Sequence, residues 1–467
     1  MTKVTLVFPG ITGIGFGSAG KGTEGGWIAH GLALLGACAS EAGFEVDLID
    51  LRTLSSWEHL AEEIRRRRPS VCGVGMKSVD FNPGTQAIKV IKETDPSIIT
   101  IVGGVHVTLA TQEVADNPQV DYIITNEGEL AFVQLLQDLA NGKKDLPRII
   151  KGEKPDLDSL PFADRDLYLN EWKRFGFYGG SPEAPVADLP APFVTIIAGR
   201  GCIYNCNFCQ PAERTLFGGK VRRRSVVNVM AELEQLRRKY SFRSLLIHDD
   251  CLTEDRQWVI DFCKAYQGQG FTQPFFCQSR ADLVCRHQEI IRILAQVGLK
   301  GLLIGFESGS QRMLNFLRKG TTVEQNLQAA RICKKLGIRI WANYMMGLPT
   351  ETEDEVNATI RMVKEIDPDY YSPAFYTPLP GSDLYTYVQE QGLSLIADHD
   401  SYRRNPTEAK IKGLDYQFLL RSLEESQRRK PYNQLKRTLA EKAGRYASPR
   451  RVARKLKNLI GAAQPAS

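Results

Sequence analysis

The chain has 467 residues, 43% of them hydrophobic and 24% charged, with 10 cysteines and a net charge of +6. That length suggests about two or three domains, and the mix is that of ordinary globular protein, which excludes collagen-like, disulfide-scaffold and disordered classes. Residues 25–40, broken by four glycines and His30, are shorter than the ~20 residues a membrane span needs. They are expected as a buried helix. No signal-peptide pattern follows Met1, so the expected compartment is a reducing cytoplasm, where cysteines serve as core thiols or ligands.

In chain order, aliphatic runs at residues 4–8, 46–49, 71–75, 98–102 and 122–124 alternate with amphipathic stretches. Residues 1–145 therefore read as an α/β unit, a doubly wound Rossmann-like parallel sheet. Ligands of such sheets sit beyond the carboxyl ends of the strands. This places residues 9–26, Ser78, the run from Gly103 and Gly104 through His106 to Thr108, and Glu127 with Gly128 on one edge. The glycine-rich stretch at 13–22 matches neither nucleotide fingerprint and is expected as a flexible loop over the ligand or substrate.

Residues 146–190, rich in Pro and Asp, read as a linker. Over residues 191–398 strand runs return near 193, 244, 275, 301, 338 and 370, which fits an open (β/α)6 portion of a barrel. Residues 399–467 read as a helical, basic C-terminal region, carrying 13 basic and 3 acidic residues between Arg421 and Lys457. A solvated tail is the expectation there, with peripheral contact to an anionic membrane as the alternative, and nucleic acid is not expected as a partner.

The sharpest signal is Gly201-Cys202-Ile203-Tyr204-Asn205-Cys206-Asn207-Phe208-Cys209, a C-x3-C-x2-C spacing just after the first strand of the second domain. Three thiolates this close suit a 4Fe-4S cluster with one iron left open. A structural zinc would want a fourth ligand, and none follows at finger spacing; the next candidates are His248 and Cys251. With the aromatic Phe208 before the last cysteine, the motif resembles that of the radical S-adenosylmethionine (SAM) superfamily. The resemblance implies that the open iron chelates the amino and carboxylate groups of SAM, and that one electron, from a donor such as flavodoxin or ferredoxin, cleaves SAM to a 5′-deoxyadenosyl radical. Further segments resemble that superfamily's strand ends in the same order. They imply Asp249 or Asp250 against the SAM ammonium, Arg280 on its carboxylate, Glu307 and Ser308 as polar contacts, and Met346 on a backbone shelf near the adenine, with residues 378–382 as the closing turn.

The N-terminal strand ends, with residues 157–161, look like the cobalamin-binding domain that precedes the radical SAM domain in the class B radical SAM methyltransferases and in the anaerobic Mg-protoporphyrin ester cyclase family. That resemblance assigns Ser78, Gly103, Gly104, His106, Thr108, Glu127 and Gly128 to cobalamin, although the D-x-H-x-x-G motif that ligates the lower cobalt face is missing. His106 is open to two roles, a corrin contact or a hydrogen bond to a neighbouring loop. The implied activity is methylation of an unactivated carbon of a small-molecule or peptide substrate. Cyclisation or C–C coupling on a tetrapyrrole or lipid is the alternative, and a non-catalytic cobalamin carrier, which leaves the cysteines unexplained, is the third.

Overall fold

The computed structural model describes residues 2–209, 213–403 and 408–445. The first domain is one parallel sheet of β1 (Lys3–Phe8), β2 (Glu45–Asp50), β3 (Val71–Gly75), β4 (Ile99–Gly103), β5 (Tyr122–Thr125) and β6 (Ile149–Lys151), in the order β2-β1-β3-β4-β5-β6. The central strands are buried on both faces, which is why they read as unbroken aliphatic runs. Two apolar layers cover them, one built around Val7, Val74 and Val102 and the other around Leu6, Ile101 and Phe132. β6 is three residues long and largely exposed, so no alternation marked it in the sequence.

After β7 (Phe193–Ile196) comes a two-stranded antiparallel ribbon, β8 (Gly199–Arg200) and β9 (Arg222–Arg223). The second sheet continues with β10 (Ser244–Ile247), β11 (Phe275–Ser279), β12 (Leu299–Glu307), β13 (Arg339–Met346) and β14 (Tyr370–Phe375). Its order, β14-β13-β12-β11-β10-β7, is sequential and parallel throughout. Every crossover therefore steps the same way and the sheet curls into an open portion of a barrel, as the six expected strands required.

The Pro-rich segment between the sheets is packed rather than loose. It holds a helix, Asp166–Arg174, whose Trp172 donates its indole N–H to Asp50 at 2.8 Å and whose Glu171 accepts from Arg67 at 2.7 Å. Arg165 donates to Glu232 at 3.0 Å and to the Thr195 carbonyl at 2.6 Å. Val186 and Leu189 pack with Phe193, Leu246 and Phe276, joined by Trp341 and Tyr370. Those two aromatics are thereby part of an apolar plug to which the linker contributes.

Helices Tyr416–Ser426 and Lys430–Arg445 follow, the second docked by Asn433 on the Pro368 carbonyl at 2.9 Å and by Arg437 on Asp188 at 3.1 Å. The rest of the basic region, from residue 446, lies outside the described residues. Among the described residues no helix is long and apolar enough to cross a membrane. Arg165→Met strands the buried Glu232 with a single cation, Arg224, and exposes an unpaired carbonyl. The expected cost is about 3 kcal/mol, read as a lower urea midpoint of the full chain.

Candidate active site

In the first sheet β1 lies between β2 and β3, so the crevice for a ligand opens beyond the carboxyl ends of β1 and β3. A cavity of about 530 Å³ occupies that place. Its other wall comes from the second domain, through Ile197, Gly199, Arg224, His248 and Asp250. Two sets of strand ends therefore face one space. On the first-domain side Gly73, Gly75 and Gly103 leave the strand ends bare, and Gly104 has φ +112, where a Cβ would sit 2.7 Å from the Met76 carbonyl oxygen. Only glycine is compatible with both conditions.

Of the residues expected on cobalamin, Gly103, Gly104, Thr108, Glu127 and Gly128 line this cavity. Ser78 and His106 do not. His106 is fully buried outside the cavity wall, with Nδ1 3.1 Å from the Ser78 hydroxyl, the loop hydrogen bond that was one of its two expected roles. Nor do residues 13–22 cover the cavity; Gly17 and Ala19 donate to the carbonyls of Leu54 and Arg52, which hold the loop on the body of the domain. Sequence reasoning missed His30 and Arg224 in the wall, because each lies outside a recognisable motif, and it met His248 only as a distant zinc candidate beside the second-strand aspartates. Burial holds His30 neutral, with its pKa lowered to about 3, and its Nε2 is 2.5 Å from the Thr195 hydroxyl.

The two walls are locked by charge. Arg200 of β8 donates to Glu127 at 2.5 Å and to Glu129 at 2.6 Å, and Arg222 of β9 also pairs with Glu127. Both glutamates are buried and belong to the first domain. Arg223 turns the other way, to Asp249 at 3.1 Å. The cysteine loop is the connection between β8 and β9, so both of its ends are anchored to the glutamates opposite.

Within that loop Cys202, Cys206 and Cys209 are half-buried. Asn207 fixes the loop by donating to the Phe316 carbonyl at 2.7 Å and accepting from the Leu384 N–H at 2.8 Å. Arg280 reaches Cys206 Sγ at 3.6 Å, lies 3.5 Å over the Tyr204 ring and donates to Asp282 at 3.0 Å. Lys319, buried and bonded to Glu307 at 2.8 Å, is 5.7 Å from the Phe208 ring. Lys319 had no motif to announce it. Two cations thus stand beside the thiols, an arrangement that favours thiolate. Against them, burial raises the Cys202 thiol and lifts Cys209 to about 12. Iron binding must therefore displace protons.

The residues expected on SAM divide into two groups. Phe208, Arg280 and Glu307 gather around Cys206 and Lys319, and Asp250 faces the cavity with Glu213 hydrogen-bonded to it. Burial and the neighbouring Asp250 raise Glu213 to about 9, so the pair holds a proton at neutral pH. Asp249 instead accepts from the Ala198 N–H at 2.6 Å and from Arg223, which makes it a positioning group. Ser308 is fully buried, near the Thr359 hydroxyl at 3.2 Å and accepting from the Ser310 N–H, and Met346 is a core side chain. Neither side chain lines the cavity, and the role expected of Met346 is one for its backbone.

The donor set fits a cluster better than a single ion. Around one tetrahedral zinc, at Zn–S of about 2.3 Å, thiolates sit about 3.8 Å apart. Among the described residues the three cysteine sulfurs are not all within 4.8 Å of one another, and a cluster takes each thiolate on a different iron. The cavity, with its glycine-bared floor, likewise fits a broad, flat apolar group, and among the described residues His30 and His248 are the imidazoles in its wall.

Comparison with known proteins agrees with this geometry. Residues 23–136 match the B12 binding domain and residues 196–363 the Radical SAM superfamily. The chain is 27% identical, over 82% of its length and 83% of the relative's, to an uncharacterized methyltransferase of Pyrococcus horikoshii. It is 24% identical to the anaerobic magnesium-protoporphyrin IX monomethyl ester cyclase of Rubrivivax gelatinosus, over 82% of this chain and 70% of the other. Its fold superposes on the radical SAM methyltransferase TsrM of Kitasatospora setae, solved with cobalamin and a [4Fe-4S] cluster bound, with a TM-score of 0.64 at 16% identity, covering 86% of this chain and 81% of that one. With its cysteine loop held over a B12-binding sheet, the chain belongs to the radical SAM superfamily, among the enzymes whose radical SAM domain follows a B12-binding domain.

Proposed function

We propose that this chain is a cobalamin-dependent methyltransferase that places a methyl group on an unactivated carbon of a small molecule. The observation that carries the reading is the single cavity of about 530 Å³ walled by the strand ends of both domains. One carbon held there is within reach of groups bound on either sheet. When bound, the cluster with SAM supplies a 5′-deoxyadenosyl radical and cobalamin supplies the methyl group. The chain's own part is to hold and enclose. Cys202, Cys206 and Cys209 would ligate the iron, while Arg280 and Lys319 offset the negative charge gathered there. The Asp250–Glu213 pair would take the SAM ammonium in place of its shared proton. Gly75, Gly103, Gly104 and Gly128 would let the corrin lie on the strand ends. Walls from both domains, with cofactors and substrate filling the space between them, would keep bulk reductants from a reactive radical. The electron would come from a small reductant protein such as flavodoxin or ferredoxin, in a reducing cytoplasm that matches ten unpaired cysteines.

The test is anaerobic reconstitution with iron, sulfide and cobalamin, followed by incubation of methyl-deuterated SAM with extract of a deletion strain. Methyl transfer puts the deuterated methyl on product carbon. Ring formation, the activity named for the Rubrivivax relative, gives an unlabelled product, and a carrier makes no 5′-deoxyadenosine.

Each of Cys202→Ala, Cys206→Ala and Cys209→Ala should lose cluster iron and all 5′-deoxyadenosine formation, whereas Cys251→Ala, a buried thiol outside the loop, should retain both by iron assay and chromatography. Asp250→Asn should raise the KM for SAM about 10-fold, measured as 5′-deoxyadenosine release. Replacing Glu127 and Glu129 together by Gln loosens one wall against the other. It should keep iron and SAM cleavage while methyl transfer falls about 100-fold, a split that separates alignment from cofactor loss.

A further inference from the structure

Away from the cavity, three side chains from distant parts of the chain converge. His106 lies in the short helix Val105–Leu109, Glu113 in Thr111–Ala115, and His399 in the turn His399–Tyr402 that follows the second domain. Glu113 Oε2 is 3.2 Å from His106 Nε2, and Glu113 Oε1 is 2.8 Å from His399 Nε2. The two imidazoles and the carboxylate each bring a ligand atom within 4.8 Å of the other two. None of the three lines the cavity between the sheets.

We propose that His106, Glu113 and His399 form a binding site for a divalent transition-metal ion, which clasps the segment after the second sheet onto the B12-binding domain. An independent observation points to a ligand. His106 is fully buried, and its Nε2, 3.2 Å from the Glu113 carboxylate as an ion-pair contact, makes no hydrogen bond of good geometry. A buried polar atom left in that state is destabilising, and a cation between it and the carboxylate would satisfy both. Two atoms bound at about 2.1 Å to a tetrahedral ion lie about 3.4 Å apart, and the carboxylate already stands 3.2 Å and 2.8 Å from the two imidazoles. The surroundings have the form of an outer shell. Ser78 meets the far nitrogen of His106 at 3.1 Å and fixes the ring, and Phe81 stacks on His399 at 4.1 Å and meets His106 edge-on at 5.0 Å. Glu113 is 40% exposed, which gives the ion an entry path and leaves coordination positions for water. Two imidazoles and one carboxylate select Zn2+ or Fe2+ over Mg2+ or Ca2+.

Zinc and cobalt(II) are the probes. In the full chain with Cys202, Cys206 and Cys209 replaced by alanine, cobalt(II) titration should give a d–d absorption band that saturates at one ion per chain. Zinc should displace that ion and raise the thermal midpoint. Glu113→Gln and His399→Gln, at partly exposed positions, should each lose the band and the zinc-dependent shift. Should the alanine variant fail to fold, zinc per chain in the reconstituted holoenzyme, with and without Glu113→Gln, decides the matter. A zinc content and midpoint that Glu113→Gln leaves unchanged, or no uptake at all, overturns the proposal.

Discussion

The guanidinium of Arg200 lies between Glu127 and Glu129, and the rest of the site depends on that placement. The cation sits at the root of the cysteine loop and the two carboxylates sit at the end of the opposing sheet, so one set of charges sets the distance between the walls. Its buried position makes it exacting. Removing Arg200 would leave two poorly solvated carboxylates with Arg222 as the remaining guanidinium, a loss of about 3–5 kcal/mol for a buried pair. Such pairs are weak contributors to net stability but strong determinants of geometry, and here geometry is what a reaction shared between two sheets requires.

The linker serves the same end by other means. Its charges, Arg165 on Glu232 and Glu183 on the Thr195 hydroxyl and amide, close around β7. Its apolar residues fill the concave side of the open sheet. An open partial barrel has an unfilled centre and two free edges, and a segment of prolines and aspartates with scattered aliphatics can fill it without forming a strand. The barrel's interior is thus made in part by chain that belongs to neither sheet.

The strands and the cysteine motif were legible because their signals are local. A strand covered on both faces must be a continuous aliphatic run, and three thiols on one loop must be close in sequence. Arg280 was readable from its strand-end context as a SAM contact, while its approach to Cys206 is something only the structure shows. Lys319, Glu213 and His30 were not, since each reaches the site from an element chosen by packing. Ser308, Asp249 and His106 show the opposite failure. Each sits where a cofactor contact is expected, and each spends a polar atom on a neighbouring element instead, Ser308 on Thr359, Asp249 on the Ala198 amide and His106 Nδ1 on Ser78.

Residue order alone was enough to establish two parallel α/β units, a three-thiol loop after the first strand of the second, and hence an iron-sulfur chemistry, because periodicity and short spacing survive without coordinates. It could not establish that the units face each other across one cavity, which of two adjacent aspartates is free, or that His106 and His399, nearly three hundred residues apart, meet on one carboxylate. Those facts are set by long-range ion pairs and side-chain directions, and such quantities exist only once the chain has closed on itself.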